Sequence, residues 1–171
     1  GRPGVMDHIE ALRNRKEIGH RVVVWGFTYG AELAISLAEE GREVVLIGEG
    51  AEKTLGGHAS NFRRWWILRK LADVNTARGT PEAQRIANPA VLSNVRVEEI
   101  TSEGIALTTE GGDKQVLPYD ALVISRGRER EDVLSGQLEG TGAEVHEIGD
   151  CSSVGDIHKA IFSANEVARA I

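Results

Sequence analysis

The sequence predicts a three-layer α/β fold, a central parallel sheet with a β-meander over one face, and three observations predict it. Val22-Val23-Val24-Trp25 ends at Gly26, a stretch of helical period runs from about Gly30 to Glu40, Gly41 stops it, and Val44 to Ile47 is a second apolar run. That is a β-α-β unit. These strands, and Ala121 to Ile124 after them, lack the alternation of a half-wet sheet, so they belong to parallel strands buried on both faces. Finally, Val95 to Ile100, Gly104 to Thr109 and Lys114 to Leu117 are short β signals parted by brief turns, the spacing of a meander.

In chain order, Gly1 to Gly4 reads as an extended linker, and Asp7 caps a short helix over His8 to Lys16 that turns Ile9 and Leu12 inward. Residues 1–20 thus form a linker and short helix. So abrupt a start beside the first core strand suggests a piece of a longer protein. His8 and His20 read as solvated, with no partner at metal-ligand spacing. In the central unit Leu33, Ala34 and Leu37 face the sheet, Glu39-Glu40 is the wet end, and Glu32 sits in the first helical turn, where a carboxylate favours the helix dipole.

Glu52 to His58 is a loop, and Ser60 or Asn61 caps a helix through Leu71 with Trp65, Leu68 and Ala72 on one face. Adjacent tryptophans cannot share a face, so one of Trp65 and Trp66 is left for another domain or the ring of a ligand, with an interdomain contact preferred. Thr80-Pro81 opens and Asn88-Pro89 closes a further short helix. After the meander and the strand at 121–124, Arg128 to Gly142 is a connector. Glu144 to Ile148 reads as a strand of the sheet, and Asp156 to Ile171 as a helix with Ile157, Ala160, Ile161, Ala164, Val167 and Ala168 inward.

Composition narrows the partners. With 41% hydrophobic and 27% charged residues the 171-residue chain is ordinary for a globular protein of one core, or of one core and an appendage. A net charge of −6 supplies no basic surplus for nucleic acid or an anionic membrane. The one cysteine, Cys151, excludes an intrachain disulfide, fits a cytoplasmic setting and reads as a small buried filler. No apolar run approaches the roughly 20 residues that span a bilayer.

The turn after the first strand carries the candidate chemistry. A strand-to-helix turn aims backbone N–H groups and the helix dipole at one point, where a dinucleotide pyrophosphate sits in Rossmann-like folds. The fingerprint G-x-G-x-x-G/A reads here Gly26-Phe27-Thr28-Tyr29-Gly30-Ala31, with Thr28 in place of the second glycine. Taking Gly30 as the last glycine instead leaves the loop one residue short. Glu49, one place past the expected strand end, is the candidate acid for the adenosine ribose, and it prefers NAD(H) over NADP(H). No serine, cysteine or histidine arrangement suggests a nucleophile, and no catalytic residue or metal ligand is expected.

Three segments then carry a resemblance: KEIGHRVVVWG, YDALVISRGRE and EVHEIGDCSSVGDIHKAIFSANEVARAI. Together they resemble the C-terminal dinucleotide-binding region of the multidomain NADH:flavin oxidoreductases of the 2,4-dienoyl-CoA reductase and trimethylamine dehydrogenase type, which is similar to pyridine-nucleotide-disulfide reductases. The resemblance implies that 21–127 is an NAD(P)-binding-like domain and that 128–171 is the returning segment of an FAD- or ADP-binding-like domain. It implies a flavin (FAD), with FMN and an iron–sulfur cluster in parts of the parent protein that nothing here resembles. Gly127 matches the glycine of the family's A-T-G-like turn, where Ser125 and Arg126 depart from the pattern. Gly149 and Asp150 match its G-D pair at the flavin pyrophosphate and ribityl chain, although Asp150 at a strand end also suits a simple turn cap. Two functions follow from the resemblance. One is a domain that positions NAD(P)H for a flavin held elsewhere. The other is a scaffold of the same fold that has lost its cofactor and serves packing against other domains of the parent flavoenzyme or a second copy of the chain.

Overall fold

Valine and isoleucine dominate the runs at 22–24, 44–47 and 121–124, and their branched side chains suit the pleated surface of a sheet buried on both sides. The computed structural model describes residues 3–76, 89–138 and 140–171, with backbone alone for 73–76. Its elements are β1 (Val5–Asp7), α1 (His8–Arg13), β2 (Arg21–Trp25), α2 (Tyr29–Glu39), β3 (Glu43–Ile47), α3 (Asn61–Thr76), β4 (Ala90–Leu92), β5 (Arg96–Ile100), β6 (Ile105–Thr108), β7 (Lys114–Leu117), β8 (Ala121–Ile124), α4 (Val133–Leu138) and α5 (Ile157–Ala170). The short helix expected between Thr80 and Asn88 lies outside the described residues.

Five parallel strands form one sheet in the order β1-β8-β2-β3-β4, with Val22 opposite both Val44 and Ala121. Successive residues then point to opposite faces. Val22, Val24, Val44, Leu46, Ala121 and Val123 pack under α1, α2 and α3 with Ala31, Leu37, Ile67 and Leu71. Val23, Ile47 and Leu122 pack on the other face against Ile105 and Leu107 of the antiparallel meander β5-β6-β7 and Val95 just before it. The three layers and the meander are therefore those the sequence predicted.

Several details differ. Val5 to Asp7, for which no strand was expected between the Gly1–Gly4 linker and α1, pairs with β8 and makes an edge strand. Asp7 does cap α1, accepting from the Glu10 amide at 2.8 Å, but Ala11 is the residue buried there, and Ile9 and Leu12 are exposed. In α3 the buried pair is Ile67 and Leu71, one position off the expected face; Trp65 is 54% exposed and stacked on Phe62, and Trp66 is half-buried between Arg63 and Lys70. Ser60 supplies the cap, weakly, with its oxygen 3.5 Å from the Arg63 amide.

The chain divides into two units, 1–127 and 128–171. In the second, Glu144 to Ile148 is not a strand: a strand exists only where a neighbour takes its backbone groups, and none of the described strands pairs with it. Helix α5 forms as expected, with Asp156 accepting from the Lys159 amide at 2.9 Å. None of its residues is buried, however, and Ile157, Ile161 and Phe162 stand exposed.

Candidate functional site

In a parallel sheet the carboxyl ends of the strands face the crossover loops, and a crevice opens where the chain leaves one strand to opposite sides. Here that place lies between β2 and β8: β2 is followed through α2 by β3 on one side, while β8 returns on the other. A hollow of about 240 Å³ opens there, lined by Trp25, Gly26, Phe27 and Thr28 from the end of β2, by Gly48, Glu49, Gly50 and Thr54 after β3, and by Ser125 and Arg126 after β8.

Gly26 and Gly48 at the rim, and Gly30 in α2, each have a mechanical reason. Gly26 has φ +131°, and a Cβ there would stand 2.0 Å from the carbonyl oxygen of Ser125, so only glycine lets β2 and β8 run so close into the turn. At Gly48 a Cβ would fall 2.7 Å from the Phe27 ring, which is buried and forms the floor of the hollow. The Phe27 carbonyl accepts from the Gly56 amide at 2.9 Å, tying the loop after β3 to the turn. Gly30 lets α2 settle on the sheet, with a Cβ position 3.1 Å from Val24 and 3.3 Å from Ser125. Ala31, at the last fingerprint position, is fully buried in the helix–sheet core.

Thr28 is the N-cap of α2, and its side chain makes no capping hydrogen bond. Its exposure is intermediate and it lines the hollow, so a hydroxyl stands where a fingerprint glycine leaves free space. Tyr29 goes elsewhere. Its ring lies tilted against His58, with centroids 4.1 Å apart, and meets His8 edge-on at 6.4 Å. His58 Nε2 lies 3.2 Å from Glu32 Oε2, and Arg63 pairs with the other carboxylate oxygen. Burial pushes the Glu32 carboxyl up, but the hydrogen bonds from Arg63 and His58 outweigh it together and leave the group below its usual value. Glu32 is thus bound to α3 as well as to the helix dipole. His8, expected in solvent, is half-buried and shares a 3.0 Å hydrogen bond with Ser125, and burial lowers its pKa. The sequence signals nothing of this contact, which joins residues 117 positions apart.

Glu49 reaches the rim, where its Oε2 accepts from Arg126 Nη2 at 2.9 Å. The same guanidinium lies 4.6 Å above the Trp25 ring. Gly127 has φ +121° and nothing within 4 Å of a would-be Cβ. In the second unit Gly149 has φ +62° and its amide donates to Ser163 Oγ at 2.9 Å. Asp150 accepts from Arg128 Nη1 at 2.6 Å and from the Gly155 amide at 2.9 Å, which makes it the clasp of its own loop. Cys151 is exposed, not buried as expected, because the short 3-10 turn at 149–151 carries no core. Gly26, Phe27, Thr28 and Glu49 are therefore brought together with Arg126, expected from the sequence at the would-be phosphate site, and with Trp25, which was not, while Gly149 and Asp150 belong to the other unit.

The residues fit a dinucleotide in part. The positive φ of Gly26 and the buried Ala31 reproduce the turn and the helix–strand approach of the fingerprint; Thr28 replaces close backbone approach with a hydroxyl that can donate to a phosphate oxygen. Strand order and switch-point crevice are those of a Rossmann-like fold. No protein-family model matches the chain. It is 27% identical over 167 residues to cinnamate reductase of Clostridium sporogenes, covering 95% of this chain and 23% of the reductase. Among solved structures, a 2-naphthoyl-CoA reductase complex matches with a TM-score of 0.75 at 25% identity, covering 98% of this chain and 23% of that one. Histamine dehydrogenase from Rhizobium sp. 4-9 matches with a TM-score of 0.69 at 19% identity, covering 98% and 24%. The chain is thus similar to a reductase and a dehydrogenase of the kind its three motif segments resemble. It spans about a quarter of the length of these relatives. Among the described residues no helix is long and apolar enough to cross a membrane.

Proposed function

We propose that the chain is the dinucleotide-binding part of a multidomain flavin-dependent oxidoreductase and holds NAD(P)H so that its hydride reaches a flavin carried elsewhere. The observation that carries this reading is the hollow at the β2/β8 switch point, where Gly26, Thr28 and Glu49 meet at the mouth of α2. In this role the protein supplies orientation and charge and the cofactors supply the redox chemistry, so no residue of the chain acts on substrate. Residues 21–127 would hold the nicotinamide coenzyme, and Gly127, Gly149 and Asp150 would meet FAD with parts of the parent enzyme beyond this chain. FMN and an iron–sulfur cluster would lie in those parts, in a cytoplasmic enzyme.

Calorimetric titration of the full chain with NADH, NADPH, ADP and FAD tests the reading. Gly26 is a poor probe, since any side chain there collides with Ser125 and endangers the fold. Thr28 is the better one. Thr28→Gly restores the fingerprint glycine and is expected to tighten NADH binding about tenfold, whereas Thr28→Glu sets a carboxylate against the phosphates and abolishes it. Failure of the wild type and of Thr28→Gly to bind any of the four ligands overturns the reading. In that case the scaffold role gains, and the exposed Phe62–Trp65 stack is the observation that favours it, as aromatic side chains with this exposure serve as contacts to another domain or copy.

A further inference from the structure

Three strand ends meet at one corner of the hollow: Trp25 closes β2, Glu49 follows β3 and Arg126 follows β8. The guanidinium of Arg126 is held from two directions, by Glu49 at 2.9 Å and by the Trp25 ring at 4.6 Å. Glu49 is the acid at the place where a dinucleotide's adenosine ribose is read. With the pair formed, the hollow measures about 240 Å³, below the roughly 300–1,000 Å³ of small-molecule pockets. Both side chains are about half exposed, so they are screened by solvent and can part without unpacking the core.

We propose that Arg126 and Glu49 form a latch across the ribose corner, and that Arg126 sets coenzyme preference by competing with the ribose for Glu49. This rests on the coenzyme-binding role proposed above. A ribose with a free 2′-hydroxyl needs the acceptor oxygens of Glu49 and must displace the guanidinium to reach them. A 2′-phosphate is repelled by Glu49 but gains the planar donor fork of Arg126 once the pair opens. The closed latch therefore weakens both coenzymes, and each half of it, left alone, selects the opposite one.

The test measures the Kd of NADH and NADPH for the full chain and for Arg126→Gln and Glu49→Gln, at low and high salt. Arg126→Gln is expected to bind NADH about fivefold more tightly and NADPH more weakly, and Glu49→Gln to bind NADPH about tenfold more tightly and NADH more weakly. In the wild type, raising the salt from low to moderate concentration is expected to tighten NADH by loosening the latch. A ratio of the two Kd values that stays the same in all three proteins overturns the latch and leaves the coenzyme role standing. Absence of binding by either coenzyme in all three overturns the latch, and the coenzyme role falls with it when Thr28→Gly also fails to bind.

Discussion

The two units of the chain are held together by different forces. In residues 1–127 a parallel sheet is buried on both faces, and its core is closed to water at Val24, Leu46 and Leu122 of the strands and Leu37 of α2. In residues 128–171 no described residue is buried; the unit is laced by exposed ion pairs, Arg128 to Asp150 at 2.6 Å and Arg130 to Asp132 and Glu147 at 2.7 Å. Yet α5 has the stronger amphipathic pattern of the two regions' long helices, with Ile157 80% and Ile161 61% exposed. A pattern in sequence records which face a helix is fit to bury. It does not record that the covering surface lies in the same chain.

The largest test of this contrast is a pair of truncations. Leu37→Ala should cost about 2–5 kcal/mol in urea unfolding, because it leaves a cavity between α2 and the sheet. Ile161→Ala should stay within about 0.5 kcal/mol. Equal losses would break the distinction. Hydrogen exchange followed residue by residue gives the next effect. Amides of β2, β3 and β8 should exchange last, and those of 128–171 first, with protection in the second unit falling further as salt screens its ion pairs.

The smallest expected effect sharpens the comparison at acid pH. Asp120, before β8, accepts from Arg21 and from the amides of His20 and Arg21, which joins the starts of β2 and β8. The Arg21 hydrogen bonds lead in holding its carboxyl down, from 3.8 to about 2. A depressed carboxyl stabilises the fold fully above its unfolded value and loses that contribution as pH falls through the folded one. Melting temperature should therefore drop between about pH 4 and pH 2 in the wild type, and less steeply in Asp120→Asn, which starts lower at neutral pH. Parallel curves for the two proteins would remove Asp120 from the account.

The sheet was legible because unbroken valine and isoleucine runs have few other uses, and the meander because its turns are short. Strand β1 was not, since three residues carry no period and its pairing depends on β8, more than a hundred positions away. The run at 144–148 misled for the complementary reason: its composition is that of a strand, but no described neighbour takes its hydrogen bonds. In α3 the two tryptophans drew the expected face toward Trp65, while the core took Ile67 and Leu71, which offer bulk without an indole N–H to satisfy. Of the site, the fingerprint residues and Glu49 could be picked from spacing. The Arg126–Glu49 pair and the His8–Ser125 bond could not, as they join positions 77 and 117 residues apart.

Phe27 belongs at once to the floor of the hollow and to the main core, and Gly48 exists to make room for its ring. Positions 27 and 48 are thus bound to vary as a couple, in evolution or in redesign. Whoever deepens the cleft by shrinking that ring also loosens the interior beneath it, so gains in ligand room and losses in heat tolerance are expected to arrive together.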